Sequence, residues 1–180
     1  ILLSTYLWNR DFFVAVCKLC REVIPDVPII AGGPQLVPFD TTEPLKQFVD
    51  IIIYGEGEEV IYDAVKLALS GKESIPSKPY EIFANPVDLS KVKLPYYLYE
   101  DKDIANRVVY VEATRGCPFS CEYCTSAGSG GIRYFPLDEL KKEFLTLINR
   151  GVIHFKFLDR SFNHGGEHSL ALLDFFRENY

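Results

Sequence analysis

Apolar positions follow two alternating rhythms along the chain. Residues 1–8, "ILLSTYLW", form a nearly continuous apolar run that stops at Asn9, the pattern of a strand buried on both faces. Over 11–24 the apolar residues fall at helical spacing, with Phe13, Val16, Cys17, Cys20 and Val23 on one face and Pro25 and Pro28 beyond the exit. A second buried strand, "VPIIAGGPQ", runs into Gly32, Gly33 and Pro34, a loop whose backbone can be approached closely. "TTEPLKQF" predicts a short helix capped by Thr41 or Thr42. "VDIIIYGEGEE" predicts a third strand closed by Gly55, Glu56 and Gly57, and "EEVIYDAVKLALSG" a helix that stops at Gly71.

Short buried strands alternating with helices predict a doubly wound parallel α/β sheet over 1–71. Ligands of such sheets bind outside the carboxyl ends of the strands. Ser4 and Thr5, Gly32 and Gly33, and Gly55, Glu56 and Gly57 all fall at that edge.

The rhythm lapses over 72–106, where prolines recur without periodicity, and a surface linker is expected. It resumes with "RVVYVEAT" at 107–114, a strand leading into a cysteine-bearing loop. A helix opened by Pro136 and followed by Gly151 comes next, then the strand "VIHFKFLD" and the helix "EHSLALLDFFREN". Two βα units joined by crossovers begin a barrel-like parallel sheet over 107–180.

Composition narrows the function. The chain has 180 residues, 48% hydrophobic and 24% charged, with net charge −6. An acidic balance argues against nucleic acid, whose binding rests on clustered Lys and Arg. No apolar run approaches the roughly 20 residues of a bilayer-spanning helix, and no secretory signal is visible. The abrupt opening on "ILLSTYLWN" reads as an internal fragment of a longer protein. Five cysteines, an odd number, fit a reducing cytoplasm better than a disulfide framework.

Three of these cysteines stand in "RGCPFSCEYC", 115–124, as C-x3-C-x2-C. Structural zinc wants four converging ligands, and the nearest His, His154, lies thirty residues away on a strand. Three buried thiols suit so polar a loop poorly. An iron–sulfur cluster is the third option, and a [4Fe–4S] cube held by Cys117, Cys121 and Cys124 leaves one iron open to a substrate.

This motif, with Tyr123 before its last cysteine, resembles that of the radical S-adenosylmethionine (SAM) enzymes. The resemblance implies a [4Fe–4S] cluster on Cys117, Cys121 and Cys124 whose open iron chelates the amino and carboxylate groups of SAM. Reductive cleavage of SAM then gives a 5′-deoxyadenosyl radical, with Tyr123 beside the adenine. "AGGP" and "GEGE" ahead of a proline-rich segment resemble the cobalamin-binding domain fused to such enzymes, and "LDRSFN" at 158–163 resembles the branch related to the anaerobic Mg-protoporphyrin monomethyl ester oxidative cyclase. Ser4, Thr5, Gly32, Gly33, Pro34, Gly55, Glu56 and Gly57 would then contact cobalamin. The D-x-H-x-x-G loop that supplies a cobalt ligand in that class is absent from these residues.

"GGE" at 165–167 matches a SAM-binding motif by letters but follows the strand too late, so Asp159 is taken as the partner of the SAM amino group. Cys17 and Cys20 lie on an apolar helix stripe and are read as packing. His154 is read as structural, and His164 and His168 as parts of a solvated turn. The reaction is expected to be methylation or oxidative cyclisation of a small molecule, fed by an electron donor such as ferredoxin or flavodoxin. The alternatives are a non-catalytic protein that holds or assembles the cluster, and a structural zinc protein.

Overall fold

The computed structural model describes residues 1–124, 126 and 130–180. It divides into two units, Ile1–Val87 and Asp88–Tyr180.

In the first unit β1 (Leu2–Ser4), α1 (Arg10–Val23), β2 (Ile30–Gly32), β3 (Ile51–Tyr54), α2 (Ile61–Leu69) and β4 (Tyr80–Phe83) follow in chain order. The strands form one parallel sheet in the order β1-β2-β3-β4. Successive side chains point to opposite faces, so each central strand feeds two cores. Ile29, Ala31, Ile52 and Tyr54 pack with Cys17, Leu36 and Leu45 on one face. Ile30, Ile51 and Ile53 pack with Ala64 and Ala68 of α2 on the other. This is the expected doubly wound arrangement.

Three expectations change. β1 is an edge strand, with Leu2 and Trp8 largely exposed, so the opening apolar run is not buried on both faces. "TTEPLKQF" forms a 3-10 turn at Pro44–Gln47, capped by the Glu43 carboxylate through Leu45 N–H rather than by Thr41 or Thr42. The region expected as a linker holds β4, paired with β3, and α3 (Asp101–Asn106). The packing of Cys17 and Cys20 is as expected: Cys17 is buried, Cys20 lies against the same core, and burial pushes the Cys17 thiol up from its ordinary pKa.

The second unit begins with α3 and holds β5 (Val109–Val111), β6 (Thr114–Arg115), β7 (Arg133–Tyr134), α4 (Leu137–Asn149), β8 (Phe155–Phe157) and α5 (Gly166–Asn179). β5 and β8 pair in parallel, while β6 and β7 form an antiparallel ladder. The expected strand at 107–114 is thus two elements. Its core is aromatic: Phe144, fully buried on α4, touches the rings of Tyr96, Phe155, Phe157 and Phe176.

The edge of β5 away from β8 is closed by two phenols. Tyr96 Oη accepts from Glu112 N at 2.9 Å and donates to Glu112 O at 3.2 Å. Tyr99 Oη does the same for Tyr110, at 3.0 Å each way. Residues two apart on a strand face the same edge, so each hydroxyl stands in for a neighbouring strand's amide and carbonyl. Burial pushes the Tyr96 phenol well above its ordinary pKa, so it keeps the proton it donates. Tyr96→Phe is expected to cost about 1–3 kcal/mol by leaving two backbone groups unpaired. Tyr99→Phe should cost less, because its hydrogen bonds are exposed and water can replace them. Urea unfolding checks the difference, and equal costs would contradict this account.

Candidate cluster loop and sheet edge

In the second unit the sequence places three thiols on a loop rooted by β6 and β7, with Thr114 opposite Tyr134 and Arg115 opposite Arg133. The Arg115 guanidinium grips Glu112 with two hydrogen bonds, Nε to Oε1 at 3.2 Å and Nη2 to Oε2 at 2.9 Å, and lies over the Phe135 ring. Gly116 then turns the chain with φ +99°; a Cβ there would lie 2.0 Å from Gly131 O.

Cys117 is half-buried, whereas Cys121 and Cys124 are exposed, and all three are free thiols. A turn joins the last two, with Cys124 N–H donating to Cys121 O at 3.1 Å, and Ser126 N–H donates to Cys124 Sγ at 3.4 Å. Among the described residues no three His, Cys, Asp or Glu side chains gather as ligands of a single metal ion. A structural zinc tetrahedron needs four ligands converging on one point. A cube takes one thiolate at each of several irons, so its ligands need only surround a larger body.

The end of β8 comes to this root. Asp159 Oδ1 accepts from Thr114 Oγ1 at 2.6 Å, and Oδ2 accepts from Ala113 N at 3.1 Å. Asp159 is therefore first a brace between strand ends. Its carboxylate keeps lone-pair positions that an incoming ammonium can share. Tyr123 is 93% exposed. Glu167 lies exposed in the first turn of α5.

The histidines differ from expectation in part. His154 is exposed, and its carbonyl accepts from Val109 N just ahead of β8. The His164 and Phe119 rings stand nearly perpendicular, with their centroids 6.5 Å apart. His168 is not on a solvated turn: its ring packs on Tyr134 and its Nε2 lies 3.1 Å from Phe135 O, which ties α5 to the end of β7. Sequence reasoning also missed Ser161, whose hydroxyl lies 3.7 Å from Cys117 Sγ. A Ser ahead of a helical turn reads as a cap, and no local signal marks another use.

In the first unit, β1, β2 and β3 end side by side, with Ser4 opposite Gly32. Thr5 is fully buried beyond β1, and among the described residues its Oγ1 has no hydrogen-bond partner. Gly33 is explained by the chain itself: with φ +105°, a Cβ would lie 2.6 Å from both N and O of Thr5. Substitution there would disrupt the β1–β2 junction whether or not a ligand binds, so Gly33 is no clean probe of a site. Pro34 and Gly55 are exposed at the same edge. Glu56 is partly committed, its Oε2 accepting from Val87 N at 2.9 Å. Gly57 differs, because the nearest atom to a Cβ there is Ile53 Cγ2 at 3.9 Å. An orphan hydroxyl and an open glycine are features a nucleotide-bearing ligand could use.

No family model matches the chain. It is 26% identical over 171 residues to the 2-(S-pantetheinyl)-carbapenam-3-carboxylate methyltransferase of Streptantibioticus cattleyicolor, covering 78% of this chain and 24% of that protein. The cobalamin-dependent radical SAM methyltransferase TokK of Streptomyces tokunonensis is 27% identical over 168 residues, with the same two coverages of 78% and 24%. The anaerobic magnesium-protoporphyrin IX monomethyl ester cyclase of Cereibacter sphaeroides is 28% identical over 131 residues, covering 60% of this chain and 21% of that protein. The chain thus spans about a quarter of the length of the curated relatives it matches. In fold it matches the radical S-adenosylmethionine methyltransferase TsrM of Kitasatospora setae, solved with cobalamin and a [4Fe-4S] cluster bound. That match has a TM-score of 0.61 at 15% identity and covers 94% of this chain and 36% of that one.

Proposed function

We propose, for a chain whose relatives include a cobalamin-dependent radical SAM methyltransferase, that it forms part of an enzyme of that class acting on a small molecule. The observation that carries this reading is the set of three free thiols on one loop rooted beside a parallel strand. Cys117, Cys121 and Cys124 would hold a [4Fe–4S] cluster, losing their protons as they bind. The cluster, when bound, supplies the low-potential electron for reductive cleavage of SAM. Asp159 accepts a hydrogen bond from the ammonium of SAM while holding Ala113 and Thr114 in place. The exposed ring of Tyr123 offers the adenine an apolar face. Cobalamin would lie at the edge formed by Ser4, Thr5, Gly32, Gly33, Pro34, Gly55, Glu56 and Gly57, with Thr5 Oγ1 supplying a hydrogen bond.

Methyl transfer is favoured, since two of the relatives named above are methyltransferases; oxidative cyclisation is the second reading, from the cyclase relative. An external one-electron donor such as ferredoxin or flavodoxin is required by the chemistry. Among the described residues no helix is long and apolar enough to cross a membrane.

The test is anaerobic reconstitution of the full-length protein with iron, sulfide, cobalamin and SAM. One [4Fe–4S] cluster and release of 5′-deoxyadenosine or S-adenosylhomocysteine are expected; stoichiometric zinc without iron uptake would sink the reading. The cobalamin part has its own variant. Among the described residues Gly57→Ala meets nothing closer than ordinary contact, so a ligand passing over this backbone should lose affinity about tenfold. Unchanged affinity removes Gly57 from the site, and a wild-type protein that binds no cobalamin removes cobalamin.

A further inference from the structure

We infer that Ser161 is a positioning residue that hydrogen-bonds the Cys117 sulfur and thereby raises the reduction potential of the cluster. The inference rests on the cluster reading above. Its motive is the placement of a hydroxyl that does not do its ordinary job. Ser161 stands at the N-cap of the 3-10 turn Phe162–Gly165, with φ −149° and ψ 66°, yet its side chain makes no capping hydrogen bond. Its Oγ instead lies 3.7 Å from Cys117 Sγ, within reach of a hydrogen bond to a large sulfur atom.

The two atoms are held together by structure around them rather than by chance contact. Asp159, two residues before Ser161, is bonded to Ala113 and Thr114, and Thr114 begins the strand that leads to Cys117. On the other side, the Ser169 hydroxyl of α5 donates to Phe162 O, and the Phe119 ring of the cysteine loop meets His164. Ser161 is thus pinned on both flanks of its own turn.

A thiolate bound to iron has no proton to give, so Ser161 becomes the donor. A hydrogen bond donated to a ligand sulfur withdraws negative charge from it. The reduced cluster carries one more electron than the oxidised one and gains more from that withdrawal. Hydrogen bonds to cluster sulfurs are among the levers that set potential. Cys121 and Cys124 are exposed, so of the three sulfurs Cys117 is the half-buried one where such a bond is least diluted by water.

The experiment is a redox titration of the anaerobically reconstituted full-length protein, followed by electron paramagnetic resonance of the reduced cluster. Ser161→Ala should take up the same iron and sulfide as wild type but show a more negative midpoint and a changed spectrum. Ser161→Thr, which keeps the hydroxyl, should restore both. An Ala variant that loads no cluster beside a Thr variant that loads at the native midpoint supports the same role for the hydroxyl. A fully loaded Ala variant with an unchanged midpoint overturns the inference, as do Ala and Thr variants that shift equally or both fail to load. Wild-type protein that takes up no cluster would overturn the cluster reading instead, so the two failures are distinguishable.

Discussion

Alanine at Cys117, Cys121 or Cys124 should each abolish the visible absorbance of the reconstituted cluster, while the fold survives. The two outcomes separate because of where the thiols sit. Cys121 and Cys124 are exposed on their loop, and exposed substitutions away from caps and networks stay within about 0.5 kcal/mol. A cube with only two protein thiolates is poorly held, so the loss of one should read as loss of the cluster. Cys17→Ala and Cys20→Ala are the internal control. They remove a thiol from the α1 core, should cost about 1 kcal/mol, and should leave iron content untouched. Iron content and urea unfolding measured on all five variants check this. Retention of a full cluster in any of the three loop variants would show that its cysteine is not a ligand.

The parts of this chain legible from sequence are those whose cause is local. β2 and β3 are short apolar runs because both faces of a central parallel strand are buried, Ile52 against one core and Ile51 and Ile53 against the other. The three loop cysteines are legible because all of them lie within eight consecutive positions. What sequence misjudged depends on distant partners. β1 carries the same apolar letters as a central strand but lies at the edge. β4 hides among prolines, and only its pairing with β3 makes it a strand. Tyr96 and Tyr99 look like part of a linker, and their work is done on a strand more than ten residues ahead. Gly33 looks like a ligand cradle, and the atom nearest to it belongs to Thr5. Ser161 looks like a cap, and its hydroxyl points at a sulfur instead.

Gly116→Ala should impair cluster loading nearly as severely as loss of a ligand, although every thiol remains. The Cβ it adds would lie 2.0 Å from Gly131 O and 3.1 Å from the carbonyl carbon. Both are backbone atoms, so no side chain can swing aside to relieve the clash. The residue also holds φ +99°, a conformation that adds about 1–3 kcal/mol of strain for a residue with a side chain. The ladder beside it is short, pairing Thr114 with Tyr134 and Arg115 with Arg133, and should not absorb both penalties. The root of the loop should therefore open, and Cys117, next along the chain, should move away from Ser161 and from its fellow thiols. Gly130→Ala is the matched control. Its φ is +80°, equally unusual, but among the described residues a Cβ there meets nothing within 4 Å, so it carries strain without that clash and should retain most of its cluster. The checks are iron content, a count of reactive thiols to confirm that none is lost, and the unfolding of the Ile1–Val87 unit, which should not change. Full cluster content in Gly116→Ala would mean that the β6–β7 root does not set the position of the cysteines.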